Sequence, residues 1–313
     1  MISIVVPCYN EQEALPLFYE EAARVIGGMD EPCEFILVND GSADDTLKVM
    51  RELADRDSRV KYISLSRNFG NEAAMYAGLC NAGGDYVAVM DADLQDPPSL
   101  LPRMLELLRG GEYDCVATRR ADRKGEPPVR SWFARQFYRL INRIMDAEIV
   151  DGARDFRLMR RSMAEAIISL SEYNRFSKGI FGWVGFRTYW ISYDNIERVA
   201  GQTKWSFWKL FVYALDGIIS FSQVPLNIVS WFGTGITGLS FIMLIFVIVR
   251  KLIFDDPVAG WASTICVILF MGGIQLMCLG IMGQYIAKTY MESKNRPHYI
   301  AAETNIENAK RIN

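Results

Sequence analysis

Short apolar runs alternate with amphipathic stretches through the first 120 residues of the chain. Five of the apolar runs are typical of buried strands: Ile2–Val6, Phe35–Val38, Val60–Leu65, Tyr86–Met90 and Cys115–Thr118. Helical periodicity fills the gaps at residues 12–27, 44–56, 70–82 and 98–109. Because strands that alternate with helices usually form a mostly parallel sheet, this pattern predicts an α/β domain with helices covering the sheet.

The last third of the chain is more apolar. No charged residue interrupts residues 226–249, and none occurs within residues 259–286. Each stretch is longer than the roughly 20 residues that cross a hydrocarbon core. A pair of buried core helices is the alternative, but globular helices seldom run so far without a charge. The sequence therefore predicts two transmembrane helices, whose glycines, such as Gly235 and Gly280, indicate close helix pairing or oligomers.

The residues just before the first of these helices are amphipathic. Trp208, Phe211 and Leu215 fall on one helical face, whereas Lys209 and Asp216 fall on the other. This pattern is typical of a helix that lies in the membrane interface, and an ordinary core helix is the alternative. Because a membrane helix follows directly, we favour the interfacial interpretation.

The flanking charges indicate an orientation. Met1–Pro7 reads as a strand without a charged or apolar leader, so we expect no signal peptide and a cytoplasmic N-terminal domain. Two spans return the tail to the same side, and its lysines and arginines agree with the positive-inside rule. The predicted organisation is a cytoplasmic domain over 1–200, a juxtamembrane segment over 201–223, two membrane helices within 224–287 (226–249 and 259–286) and a cytoplasmic tail over 288–313.

Composition removes several classes of function. Lysine and arginine total 34 against 37 aspartates and glutamates, so the net charge of −3 provides no overall field that would attract nucleic acid. The chain has one histidine, His298, which leaves little material for a Ser-His-Asp triad or a histidine-rich zinc site. The six cysteines form no C-x-x-C pair, and we interpret them as packing residues in a reducing compartment.

Polar loops follow three of the predicted strands. They read Pro7-Cys8-Tyr9-Asn10-Glu11, Asn39-Asp40-Gly41-Ser42 and Asp91-Ala92-Asp93-Leu94-Gln95. In open α/β sheets, ligands bind beyond the carboxyl ends of the strands, which is where these loops lie. No G-x-G-x-x-G follows the first strand and no G-x-x-x-x-G-K-[ST] occurs, so a dinucleotide site and a P-loop lose their main support.

The third loop has the chemistry of a cation site. Asp91 and Asp93 stand two residues apart at the end of an apolar strand, and Gln95 adds a further oxygen. Neighbouring carboxylates repel each other unless a cation lies between them. Helix capping is the alternative interpretation, but Asp96 alone can cap the helix predicted from residue 98. The pattern therefore predicts a metal site.

A basic segment stands out against the acidic chain. Residues 119–143 carry eight basic and two acidic side chains, a local charge of +6. Arg135, Arg139 and Arg143 recur every four residues and would form one edge of a helix. We expect an anionic partner here, such as lipid headgroups, with a solvated charged face as the alternative.

Four motifs of the chain are Val5-Val6-Pro7-Cys8-Tyr9-Asn10-Glu11, Val38-Asn39-Asp40-Gly41-Ser42, Asp91-Ala92-Asp93-Leu94-Gln95-Asp96-Pro97 and Asp155-Phe156-Arg157-Leu158. Together they resemble the motifs of the family 2 glycosyltransferases of GT-A fold. More narrowly, the chain resembles the polyprenol-phosphate glycosyltransferases, which include dolichol-phosphate mannose synthase and the bactoprenol glucosyltransferases. The resemblance covers nearly the whole chain. It implies a GT-A, Rossmann-like domain followed by interfacial amphipathic helices and two transmembrane helices.

The resemblance also implies roles for individual residues. The nucleotide sugar would be bound by Pro7, Tyr9, Glu11, Val38, Asp40, Asp91 and Ala92. Mg²⁺ or Mn²⁺ would be bound at the diphosphate by Asp93, Gln95 and Asp91. Asp93 and Asp155 are the expected catalytic residues, Asp155 as a base or as an orienting group. Phosphate or the acceptor would be bound by Arg119, Arg130 and Lys204.

The activity implied by the resemblance is inverting, metal-dependent transfer of a hexose at the cytoplasmic face of the membrane. The expected substrates are UDP-glucose and polyprenyl (undecaprenyl) phosphate, and the product is a lipid-linked sugar for cell-envelope glycan modification. The resemblance also implies a homo-oligomer, in the form of a tetramer. Transfer of N-acetylglucosamine, galactose or mannose is one alternative. A polysaccharide synthase, whose Gln-x-x-Arg-Trp signature is absent here, and a non-catalytic scaffold that binds nucleotide sugars are the others.

Overall fold

The computed structural model describes residues 1–120, 150, 152–193, 219, 222–254 and 260–310. The strands in these ranges are β1 (Ile2–Cys8), β2 (Cys33–Asn39), β3 (Val60–Leu65), β4 (Tyr86–Val89), β5 (Cys115–Arg120), β6 (Ala153–Arg160), β7 (Thr188–Tyr193) and β8 (Ala301–Thr304). The helices are α1 (Ala14–Gly27), α2 (Thr46–Arg56), α3 (Asn71–Asn81), α4 (Leu101–Arg109), α5 (Arg161–Ser169), α6 (Ser177–Trp183), α7 (Val224–Phe254) and α8 (Trp261–Ser293). A 3-10 turn, Pro98–Leu100, precedes α4.

One mixed sheet contains these eight strands in the order β7-β5-β6-β4-β1-β2-β3-β8. β1 pairs in parallel with β2 and β4, β2 with β3, and β5 with β7. β6 runs antiparallel between β4 and β5, and β8 runs antiparallel to β3. The five predicted strands and the α/β class are confirmed. The sheet is more mixed than the alternation alone predicts, because β6 enters it in the opposite direction.

Helices cover both faces of the sheet. On one face, Phe18 of α1, Met50 of α2 and Leu105 of α4 belong to one buried apolar cluster. On the other face, Leu79 of α3 and Phe181 of α6 belong to a second cluster. The four helices predicted from periodicity are present, because each places an apolar face on the sheet.

The C-terminal tail returns to the domain and becomes the edge strand of its sheet. β8 extends the sheet beyond β3, and Ser66 N donates a hydrogen bond to Ile300 O at 2.9 Å. Tyr299 is fully buried in the second cluster, and its hydroxyl donates to Lys310 O at 2.6 Å. At the end of α8, Glu292 accepts a hydrogen bond from Tyr173 N at 2.8 Å. No local sequence pattern predicts this strand.

Replacing Tyr299 by alanine is expected to lower the free energy of unfolding of the detergent-solubilised protein by about 3 to 5 kcal/mol, because a fully buried ring is lost. Thermal or denaturant unfolding measures the change. Glu303→Gln is the control, since Glu303 pairs with Arg51 near the surface at 2.5 Å and such pairs contribute about 1 kcal/mol or less. Equal losses in the two variants would contradict the account of the tail.

Two long apolar helices, α7 and α8, follow the domain. Val224–Met243 and Phe270–Ser293 are long and apolar enough to cross a membrane, each with a mean hydropathy of 1.3. Both stretches leave their side chains unburied in the described structure. A helix satisfies its own backbone polar groups, so such surfaces suit a lipid environment. The prediction of two apolar helices of membrane-spanning length is confirmed, whereas the predicted amphipathic segment 201–223 lies almost entirely outside the described residues.

Candidate active site

The predicted polar loops meet at one edge of the sheet. Parallel pairing of β1 with β2 and β4 aligns Val5 with Ile36 and with Val89, so the residues beyond these strands lie side by side. Antiparallel pairing of Arg157 with Val89 brings residues 153–155, at the start of β6, to the same edge. Motifs that are more than 140 residues apart in the chain therefore surround one place.

Hydrogen bonds fasten the loop after β1 to the loop after β2. Asn10 N donates to Ser42 Oγ at 3.0 Å, and Ala43 N donates to Asn10 Oδ1 at 2.9 Å. Glu11 N donates to Thr46 Oγ1 at 2.9 Å. Because each bond joins a backbone amide of one loop to a side chain of the other, or the reverse, the two loops form one unit.

The predicted nucleotide-binding residues differ in exposure. Pro7 and Val38 are neighbours in the strand register, and both are buried. Ala92 is also buried, Glu11 is partly exposed, and Tyr9 is 45% exposed. An open aromatic ring beside polar loops is suited to stacking on a planar base. Tyr9 is thus the most exposed of the predicted nucleotide-binding residues.

Asp40 is buried at the end of β2 and supports the backbone beside it. Its Oδ1 accepts hydrogen bonds from Phe69 N at 2.7 Å and Gly70 N at 3.3 Å, and its Oδ2 accepts from Gly70 N at 3.0 Å. Burial raises the pKa of this carboxyl, although the two amides and Arg67 act in the opposite direction. Asp40 therefore fixes the turn that leads into α3, and it does so at the predicted nucleotide site.

Gly41, directly after Asp40, has a left-handed backbone conformation that favours glycine. Its φ is 63°, and an added Cβ would lie 2.5 Å from Asn68 N and still closer to Arg67 C. We expect Gly41→Ala to lower the free energy of unfolding by at least about 2 kcal/mol, from left-handed strain and the clash together. Denaturant unfolding checks this.

Gly27→Ala is the matched control for that prediction. Gly27 ends α1, and an added Cβ there meets nothing within 4 Å. The exchange is expected to leave stability unchanged or to raise it by up to about 1 kcal/mol. A Gly41→Ala protein as stable as the Gly27→Ala protein would show that this turn is not constrained.

The loop of residues 91–95, here called the DxD loop, has a strained backbone. Leu94 has a φ of 57°, which a bulky side chain rarely adopts. Asp93 is only 7% exposed, and its Oδ1 accepts a hydrogen bond from Gln95 N at 3.1 Å. Such strain persists where the surroundings enforce it, often at functional sites. The loop therefore holds Asp93 in one place.

Asp96 has a different role from the predicted helix cap, so that interpretation is wrong. Neither the Pro98–Leu100 turn nor α4 receives a side-chain cap. Fully buried Asp96 instead accepts a hydrogen bond from the Tyr193 hydroxyl, and its Oδ1 lies 3.6 Å from Arg154 Nε. A buried carboxylate is stabilised more by a cation and a donor than by a helix end, which explains the difference.

Asp155 stands at the start of β6, between Arg154 and the buried residues of that strand. Arg154 Nη2 donates to Gln95 Oε1 at 3.1 Å, so this segment contacts the DxD loop directly. The charge of Asp155 acts on Asp91, Asp96 and Glu72, which places it among the acidic groups of the edge. The structure therefore brings Asp155 to the DxD loop.

Glu72, in the first turn of α3, is a further carboxyl at this edge. It accepts hydrogen bonds from Ser177 N, with both oxygens at 3.1 Å, and from the Ser177 hydroxyl. Burial raises the pKa of Glu72 to about 7, and the charge of Asp155 acts in the same direction, whereas the bonds from Ser177 act against it. The sequence did not single out this residue.

Negative charge accumulates around Asp91. Burial raises the pKa of this carboxyl well above its ordinary value, and the charges of Asp155, Asp96 and Asp93 act in the same direction. Arg154 opposes them. Carboxylates that repel one another in this way are stabilised when a cation binds between them, so the edge is suited to a cationic ligand.

The donor set fits a hard divalent cation shared with a phosphate ligand. Asp91 and Asp93 offer carboxylate oxygens, and Asp96 Oδ2 is buried without a hydrogen-bond partner among the described residues. No three histidine, cysteine or acidic side chains of the described ranges converge as a ready-made metal cage. Mg²⁺ commonly binds through one or two carboxylates and substrate phosphates, which matches this arrangement. Gln95, the third predicted ligand, has its side-chain oxygen on Arg154 instead.

The predicted phosphate-binding residues are only partly within the described structure. Arg119 lies near the end of β5, exposed, and its Nε donates to Ser192 Oγ at 2.9 Å. The register sets it beside Ala153, so it reaches the same edge as Asp155. Arg130 and Lys204 lie outside the described residues, as does most of the basic segment 119–143.

The mixed α/β sheet and the acidic edge beside the loops after β1 and β2 fit a glycosyltransferase that uses a nucleotide-activated donor. This chain belongs to glycosyltransferase family 2: the sequence profile described as Glycosyl transferase family 2 matches residues 3–168. The fold and this membership confirm the predicted GT-A class of domain.

Relatives of known name cover nearly the whole chain. A putative glycosyltransferase of Bacillus subtilis (strain 168), CsbB, is 44% identical over 308 residues, which are 98% of this chain and 93% of the relative. The bactoprenol glucosyl transferase of Shigella phage SfV is 42% identical over 96% of this chain and 97% of its own. Among solved structures, the glucosyl-3-phosphoglycerate synthase of Mycobacterium tuberculosis, in complex with Mn²⁺, UDP-glucose and phosphoglyceric acid, is 18% identical with a TM-score of 0.45, covering 70% of this chain and 77% of that one.

Proposed function

We propose that this protein transfers glucose from UDP-glucose to polyprenyl phosphate, with undecaprenyl phosphate as the acceptor. The observation that carries the proposal is the 42% identity to the Shigella phage bactoprenol glucosyl transferase over 96% of the chain, which includes both apolar helices as well as the sheet domain. Membership of family 2 and the acidic strand edge support the same class of reaction.

The donor is held by the fastened loops after β1 and β2 together with the DxD loop. Pro7 and Val38, buried side by side at the strand ends, would support the base, and Tyr9 would stack on it. Asp40 and Glu11 contact the nucleoside from the polar rim. Asp40 would have two roles, because the carboxyl that contacts the nucleoside also accepts the hydrogen bonds from Phe69 N and Gly70 N.

The leaving diphosphate lies over the DxD loop. Asp91 and Asp93 would hold Mg²⁺ or Mn²⁺ there. Gln95 would join them as a ligand if its side-chain oxygen left Arg154. When bound, the ion supplies Lewis-acid stabilisation of the departing diphosphate. Arg154 adds a fixed positive charge on the same side of the loop, where it already lies beside Asp96.

The acceptor phosphate oxygen attacks the anomeric carbon of glucose from the side opposite the diphosphate. The new carbon–oxygen bond forms as the bond to the diphosphate oxygen breaks, the electron pair leaves with UDP, and the configuration inverts. A phosphate monoester with a second pKa of about 6 is largely ionised at neutral pH and needs little help from a base. Asp155 therefore orients the acceptor and stabilises positive charge at the anomeric carbon. Arg119, Arg130 and Lys204 bind its phosphate.

The reaction takes place at the cytoplasmic face of the inner membrane, with α7 and α8 as the anchor. Two observations support this arrangement. The apolar helices leave their side chains unburied, and β8, which follows α8, pairs with β3 of the domain. The pairing of β8 with β3 supports a topology in which the chain before α7 and the chain after α8 lie on the same side of the membrane. Assembly into a homo-oligomer stays a prediction.

A transfer assay with a panel of donors tests the proposal. Membranes containing the protein are incubated with undecaprenyl phosphate and labelled UDP-glucose, UDP-N-acetylglucosamine, UDP-galactose or GDP-mannose, with and without a chelator. We expect label from UDP-glucose to enter a solvent-extractable, acid-labile lipid and to vanish with the chelator. Label from another donor would identify a different sugar specificity. No lipid label from any donor, with nucleotide-sugar binding intact, would favour a non-catalytic scaffold.

A further inference from the structure

Arg157 carries a buried guanidinium that the steps above do not use. The residue lies in β6 and is 2% exposed. Its Nε donates a hydrogen bond to Asp155 O at 3.2 Å, and its Nη2 donates to Arg154 O at 3.1 Å. The guanidinium carbon lies 3.2 Å from the centroid of the Phe181 ring, in α6. One planar group thus connects the start of β6 to a helix on the face of the sheet.

Among the described residues, this guanidinium is not part of a salt bridge. Burial lowers the pKa of Arg157, and the groups in the described structure that act in the opposite direction are Cys115, Asp155 and Glu72. A guanidinium stays protonated in proteins, and burying a charge is costly. Its strand neighbours Phe156 and Leu158 are apolar, so packing alone would favour an apolar side chain here. The free-energy cost of burying this charge therefore indicates that the guanidinium and its N–H donors have a function.

The location of those donors indicates the use. β4 ends at Val89, the register partner of Arg157, and the DxD loop begins two residues later. The two carbonyls that Arg157 holds belong to Arg154, which contacts Gln95 and Asp96, and to Asp155. By holding these two carbonyls, Arg157 holds the backbone from which the side chains of Arg154 and Asp155 extend toward the DxD loop.

The far side of the guanidinium is held as well. Phe181 lies one turn after Ser177 in α6, and Ser177 is fastened to Glu72 by its amide and its hydroxyl. The ring on which Arg157 stacks is therefore itself anchored to α3. Stacking on an aromatic ring and donating in one plane to two acceptors are properties of arginine that lysine lacks.

We propose that Arg157 is a positioning residue for glycosyl transfer: stacked on Phe181, it holds the backbone of Arg154 and Asp155 so that their side chains meet the DxD loop. The inference rests on the proposed function, because it takes Asp155 to act in the transfer step.

The test compares Arg157→Met and Arg157→Lys in the full-length protein, with UDP-glucose and undecaprenyl phosphate as substrates. Arg157→Met is expected to lower kcat about 100-fold, the order of loss that small misplacement of a reacting group produces. The KM for UDP-glucose should stay within about threefold, because the nucleoside pocket lies on β1 and β2. Arg157→Lys should recover less than about a tenth of the wild-type kcat, because an ammonium cannot replace the planar fork.

Arg160 is a matched control at the other end of the same strand. Its Nε donates to Tyr113 O at 3.2 Å and its Nη2 to Leu108 O, so it also joins two backbone carbonyls. Arg160→Met should lower thermal stability but keep kcat within about threefold. Equal loss of kcat in the two methionine variants, or wild-type kcat in Arg157→Met, would overturn the inference.

A second variant decides the question if Arg157→Met does not fold. Phe181→Leu keeps the guanidinium and removes its ring, and we expect kcat to fall about tenfold with an unchanged donor KM. An unchanged kcat in Phe181→Leu would overturn the inference. Asp155→Asn is measured beside these variants. Full activity of Asp155→Asn would contradict the proposed role of Asp155 itself. An inactive Asp155→Asn protein together with an active Arg157→Met protein would contradict only the positioning role of Arg157.

Discussion

Replacing Asp93 by asparagine is expected to lower the rate of glucosyl transfer by about 100- to 1,000-fold, the range lost when one charge-stabilising group leaves an active site. The exchange keeps the size of the side chain, and the bond from Gln95 N to Oδ1 can persist. What disappears is one negative oxygen donor at the place where the diphosphate departs. Initial rates of lipid labelling measure the effect.

Asp85→Asn is the control for this variant. Asp85 directly precedes β4, at the end of that strand opposite the DxD loop, and it pairs with the N-terminal amine at 2.9 Å while largely exposed. Its exchange should leave transfer at the wild-type rate. Undiminished transfer by the Asp93→Asn protein would contradict the assignment of Asp93 to the diphosphate and its metal.

Asp155→Asn is expected to lower kcat about 100-fold while the KM for UDP-glucose changes less than about threefold. The reason is that Asp155 acts on the acceptor and on the developing charge at the anomeric carbon, whereas the donor is bound mainly by other strands. Steady-state kinetics with both substrates varied separates the two constants.

Asp114 supplies the matching control for Asp155. It lies just before β5, at the opposite edge of the sheet, and its Oδ2 accepts a hydrogen bond from Arg187 N at 3.1 Å. Asp114→Asn removes a charge of the same kind far from the site, and transfer should continue at the wild-type rate. A rise in donor KM with an unchanged kcat in Asp155→Asn would instead assign Asp155 to donor binding.

The strands and helices of the first 120 residues could be predicted because each has a local signal. Val60–Leu65 is a short apolar run between polar residues, and the predicted and observed bounds agree. The two long apolar helices were predictable for the same reason, since a charge-free run of that length is typical of a membrane-spanning helix.

β8 could not be predicted, because its pairing partner is more than 230 residues away. β8 has only four residues, and its two alanines and its glutamate have low strand propensity. The surrounding tail is rich in charged residues. Its stability comes from β3 and from the burial of Tyr299, which are tertiary effects.

The site was predictable where its residues follow a strand and not where they arrive from elsewhere. Asp91, Asp93 and Asp40 occur at strand ends, which a parallel sheet gathers. Glu72 reaches the edge through helix packing and Arg154 through the antiparallel strand β6. Tyr193 ends β7, a strand outside the region in which the sequence pattern predicts strands, so no local spacing indicates these three residues. Asp96 illustrates the opposite error. Its position before a helix predicts a cap, but the side chain is buried and pairs with Arg154 instead.

The most direct test of the central claim is mass spectrometry of the lipid product. Purified full-length protein in liposomes is incubated with UDP-glucose, Mg²⁺ and undecaprenyl phosphate, beside the Asp93→Asn protein. The account predicts that the wild-type protein raises the mass of the polyprenyl phosphate by one hexosyl residue and that the variant leaves it unchanged. Release of UDP with the lipid mass unchanged would contradict it, because glucose would then have gone to an acceptor other than polyprenyl phosphate.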